Sequence, residues 1–135
     1  MQRSHVSSLA VVLGSAFLIA PVQGAPSTSG PLPEASESTI GYPTVAAALE
    51  DLRTRPAIDF STVNGWLIAT DEAARTIWSF APRDYPAYPA VVKRWVTPRG
   101  AESTMHMSTQ CEASKAACDD LVRLFARMNG FRLVE

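Results

Sequence analysis

An α+β layer fold is predicted, with an N-terminal helix, an antiparallel meander of four to five strands, and a C-terminal helix packed on the sheet. Three observations predict it. Apolar residues recur at helical spacing in two segments, Val45 to Leu52 and Ala117 to Met128. Between them, short alternating runs are broken by Asn64-Gly65, by the polar bridge DEAAR and by Pro98 to Gly100. The connections are short, which favours strands pairing with their sequence neighbours and places both helices on one face.

The first helix lies in YPTVAAALEDLRTRP. Pro43 and Thr44 suit its start, and Val45, Ala48, Leu49 and Leu52 make its apolar stripe. Pro56 ends it, with Arg53 and Arg55 near the negative end of the helix dipole. AIDFSTV follows as a strand, Asn64-Gly65 is a favoured two-residue hairpin turn, and WLIAT leads away from it. In TIWSF, Trp78 and Phe80 point one way and Ile77 and Ser79 the other. DYPAYPA reads as an extended crossover, because each tyrosine precedes a proline and neither proline can donate to a ladder. It feeds AVVKRWV, in which Val91, Lys93 and Trp95 share one face. TPRGAE reads as a turn, and STMHMSTQC alternates Met105, Met107, Thr109 and Cys111 against Thr104, His106, Ser108 and Gln110. The last helix runs from about Ser114, its cap, to Met128, and Asn129-Gly130 stops it.

The chain has 135 residues. Residues 1–24 read as a signal peptide: Arg3, then an apolar run from Val6 to Ala20, then Pro21 and small residues at Val22 and Gly24 ahead of Ala25. The run falls short of the roughly 20 residues that a spanning helix needs. Membrane contact is therefore expected only if the segment stays uncleaved. Residues 25–39, rich in Pro, Ser, Gly and Thr, read as a flexible tether, and residues 40–135 as one domain.

Removing residues 1–24 takes away one basic side chain and leaves 11 basic against 13 acidic, with no block of like charge. That balance argues against a nucleic-acid binder, which needs a basic face. Export places Cys111 and Cys118 in an oxidising compartment, where a lone pair reads as a disulfide. They stand at the end of a strand and on the inward face of the last helix, positions compatible with a bridge. With His106 they make too few ligands for zinc, so no metal and no cofactor is expected.

His106 is the one histidine after the signal segment. A hydrolytic centre would need it to converge with a nucleophile and a carboxylate; Ser103, Ser108, Glu102 and Asp119 are the available types, without a G-x-S-x-G elbow. The acidic pairs Glu50-Asp51, Asp71-Glu72 and Asp119-Asp120 read as solvated faces. Trp66, Trp78 and Trp95 fit either core or interface anchors. The candidate partner-binding residues are Tyr85, Tyr88, Lys93, Arg94 and Trp95, in and just after the proline-rich crossover.

IWSFAPRDYPAYPAVVKR, followed by CEASKAACDDLVRLF, resembles a family of small uncharacterised exported proteins of Gram-negative bacteria. The resemblance covers Tyr42 to Phe125 and implies a periplasmic or secreted location, but no site residues. The expected role is a non-catalytic module that binds another envelope or extracellular protein, or inhibits one. The alternatives are a small hydrolase using His106, and a small-ligand carrier with a pocket lined by Met105, Met107 and Trp66.

Overall fold

The computed structural model describes residues 30–32 and 40–133. The stretch read as a signal peptide and most of that read as a tether lie outside them. The elements run α1 (Val45–Thr54), β1 (Asp59–Val63), β2 (Trp66–Asp71), β3 (Thr76–Phe80), β4 (Ala90–Arg99), β5 (Glu102–Cys111) and α2 (Lys115–Met128). The strands form one antiparallel sheet in chain order, β1-β2-β3-β4-β5, as the short connections require.

The turns explain the register. Asn64 and Gly65 both take positive φ, as the two-residue turn between β1 and β2 demands, and Val63 pairs with Trp66 across it. The carboxylate of Asp71 accepts from the Ala74 N–H at 2.9 Å and holds the longer β2–β3 turn. Thr44 caps α1 by accepting from Ala47 N–H, and Ser114 caps α2 by accepting from Ala117 N–H. At the other end of α2, Gly130 at φ 72° allows Phe131 N–H to reach Ala126 carbonyl at 2.9 Å and Gly130 N–H to reach Arg127 carbonyl at 3.3 Å. That pair of bonds closes the helix on its own last turn.

Three expectations are corrected. The helices pack on opposite faces of the sheet, not on one. Val45, Ala48 and Leu52 of α1 join Ala69, Trp78, Phe80 and Val91 in one buried cluster. Leu121 and Phe125 of α2 join Ala90 and Val92 in another, with Trp66 and Met107 packed against it. Alternation along β4 is the physical reason: Val91 and Val92 point to opposite sides and both are fully buried, so each side needs a cover.

TPRGAE is not a six-residue turn, since β4 runs on to Arg99 and β5 starts at Glu102. The Glu112 N–H to Pro89 carbonyl bond sets the phase of this ladder, so Thr97–Thr104 and Arg99–Glu102 exchange bonds and Pro98, opposite Ser103, does not. Its missing N–H faces the side where β3 has already ended at Thr76, opposite Trp95. Proline costs this strand no ladder bond.

Nor is the crossover before β4 extended. Tyr85 N–H bonds Pro82 carbonyl and Tyr88 N–H bonds Tyr85 carbonyl, so two reverse turns follow each other. Pro86 takes the second position of the latter, where its fixed φ is favourable. The Tyr88–Pro89 peptide is cis. Ala81 N–H to Ala90 carbonyl, at 2.9 Å, closes the loop.

Candidate functional site

The α1 side of the sheet is only partly covered. β4 and β5 continue beyond the end of β3 as a two-stranded ribbon. Along them, Lys93, Trp95 and Thr97 of β4 stand beside Ser108, His106 and Thr104 of β5, all on the α1 side. None of these six belongs to the cluster under α1. Trp95 and His106 are half-buried, with ring centroids 5.1 Å apart and planes 14° apart. His106 Nε2 lies 2.8 Å from the Thr97 hydroxyl oxygen. Lys93 Nζ sits 5.1 Å from the Trp95 ring centre and 4.8 Å from that of Trp78. The result is a row, His106 on Trp95 and Trp95 beside Lys93, whose inner end rests on the buried Trp78. Tyr42 meets Trp78 edge-on at 5.8 Å, which joins α1's lead-in to the row. The Lys93 ammonium thus sits within cation–π range of two indole rings.

The five residues singled out from the sequence do not form one patch. Lys93 and Trp95 meet on the α1 side. Arg94 points to the α2 side, where its guanidinium donates to Ser79 Oγ at 3.1 Å and Asn129 Oδ1 at 3.3 Å and lies over the Phe125 ring. Burial pulls its pKa below the ordinary arginine value. Asn129 follows the last turn of α2, so Arg94 is a cation at a helix C-terminus and fastens it to the sheet. Arg94→Met is expected to cost about 1–3 kcal/mol in urea denaturation, because buried Ser79 and half-buried Asn129 lose their donor. A change under about 0.5 kcal/mol, the range of ordinary surface substitutions, would refute that role.

Tyr85 is also on the α2 side, half-buried and edge-on to Trp66 at 4.9 Å. Tyr88 is exposed. Lys93 and Trp95 are thus the two of the five that converge. His106 and Thr97 were not grouped with them in the sequence, although cross-strand pairing of Trp95 with His106 was the signal that could have done so.

The groups a hydrolytic centre could recruit are dispersed. Ser108 and Glu102 share the face of His106, about 7 and 13 Å along the strand at 3.3 Å per residue. Ser103 points to the opposite face, and Asp119 belongs to α2, which covers that face. Among the described residues there is no group of three or more His, Cys, Asp or Glu side chains placed to hold a metal ion. Trp66 and Met107 each pack against the cluster under α2, but three strands apart, and Met105 is exposed on the ribbon.

Cys111 and Cys118 form a disulfide, with Cα atoms 5.8 Å apart, joining the end of β5 to α2. Within that loop Glu112 accepts from Val45 N–H at 2.8 Å, placing a carboxylate at the N-terminus of α1. The bridged segment therefore holds both helices, one on each side of the sheet. Comparison with protein-family models, curated proteins and solved structures finds no match to this chain.

Proposed function

We propose that this chain is an exported, non-catalytic protein-binding module that contacts another envelope or extracellular protein through the Lys93–Trp95–His106 row. The observation that carries the reading is the row itself. It is an aromatic and cationic surface, built on a rigid ribbon that projects beyond β3 and left outside the cluster beneath α1. Trp is among the residues that anchor protein interfaces, and surrounding threonines supply a polar rim. The disulfide supports an oxidising location. Among the described residues no helix is long and apolar enough to cross a membrane.

The test is affinity capture from an envelope extract with the parent domain and with Trp95→Ala, both checked for folding by circular dichroism. An anchor tryptophan is worth about 2–4 kcal/mol, so capture should fall by roughly 30-fold or more. Equal capture by the two proteins overturns the assignment of the row. A hydrolase reading instead requires His106→Ala to abolish turnover of a generic ester or glycoside. The carrier reading requires a small molecule to co-purify in native mass spectrometry.

A further inference from the structure

Residues Gly30 to Leu32 are seated on α2, far along the chain from it. Leu32 N–H donates to Asp119 Oδ2 at 3.0 Å, and Lys115 Nζ donates to Leu32 carbonyl at 2.6 Å. Arg123 donates to the Gly30 carbonyl. Lys115 also donates to both carboxylate oxygens of Asp119, at 3.0 and 3.2 Å. Lys115, Asp119 and Arg123 recur every four residues, one row spanning about 12 Å of helix at 1.5 Å per residue. That is the length of three to four extended residues at about 3.3 Å each.

Two features mark the row as a built site. Every group it takes from the segment is main chain: one N–H and two carbonyls. And Asp119 is 7% exposed although it belongs to an acidic pair that reads as solvated; the side chain of its neighbour Asp120 is 79% exposed. Burial pushes the Asp119 carboxyl up, but the Leu32 N–H, Lys115 and Arg123 together outweigh it and hold it below the usual carboxylate range.

We propose that Lys115, Asp119 and Arg123 form a main-chain clamp that fastens this chain's own Gly30–Leu32 segment to α2. The contacts at the N-terminal end of the domain then reach back to Gly30, not only to Ile40. The clamp lies on the α2 side of the sheet and the Lys93–Trp95–His106 row on the α1 side. The clamped segment therefore lies on the face opposite the row; what this means for binding, though not the clamp, rests on the proposed function above.

The test is amide hydrogen exchange on the full exported chain. Leu32 should exchange about tenfold slower than an unstructured amide, the value of one net hydrogen bond. Asp119→Ala should bring it to the unstructured rate, while Val91 and Leu121 amides in the two cores keep their protection. Leu32→Ala should retain the protection at residue 32, because the clamp takes backbone groups. Unprotected Leu32 in the parent, protection surviving Asp119→Ala, or loss in Leu32→Ala would each overturn the clamp. Protection that falls on dilution would overturn its intrachain form, since the seated segment would then come from a second copy.

Discussion

Replacing Trp78 with alanine is expected to destabilise the domain by about 3–5 kcal/mol, the usual cost of removing a buried large aromatic. Trp78 is 5% exposed and central on β3, opposite Ala69 of β2 and Lys93 of β4. It packs with α1's Val45, Ala48 and Leu52, takes the edge of Tyr42, and carries the Lys93 ammonium on its face. Its loss opens a cavity under α1 and removes the support of the Lys93–Trp95–His106 row. Urea denaturation should show a lower midpoint with little change in slope, because the surface exposed on unfolding stays similar. Trp78→Phe keeps a ring in place and should cost less. A loss under about 1 kcal/mol for Trp78→Ala would contradict a core placement, given the range for such truncations.

Removing the disulfide with Cys111→Ala and Cys118→Ala is expected to cost about 2–3 kcal/mol on the loop-entropy argument for so short a loop. For a domain of this size that corresponds to a Tm lower by roughly 10–20 °C. The effect should also reach the far side of the sheet. Glu112 lies inside the bridged loop and accepts from Val45 N–H, so loosening the loop loosens the first turn of α1. Calorimetry measures the first effect and amide exchange at Val45 the second. An unchanged Tm would show that the bridge constrains nothing the fold does not already hold.

Much of this architecture was legible because local signals agreed with one another. Asn64-Gly65, the alternation of TIWSF and the stripe of α2 each pointed to a single local structure, and each formed it. Apart from the crossover, whose reverse turns are local, the failures share a cause: they turned on what lies across the sheet. Val91 and Val92 both read as apolar, but nothing in a linear pattern says that each face receives its own helix. Pro98 read as a turn because its harmlessness depends on β3 ending opposite Trp95. Arg94 and Lys93 are adjacent and chemically alike, yet one holds the end of α2 and the other belongs to the candidate row. Asp119 read as solvated because its covering segment is 87 residues away.

The sheet's unbroken chain order also bears on how the molecule assembles. Every strand pairs with the one just before or after it, so each ladder can close as a hairpin without waiting for a distant partner. The Val45–Glu112 bond is the opposite case, joining groups 67 positions apart. Closing that span carries a chain-entropy cost that no hairpin bears. The carboxylate cap on α1 is thus a contact that costs more chain entropy to close than any ladder of the sheet it borders.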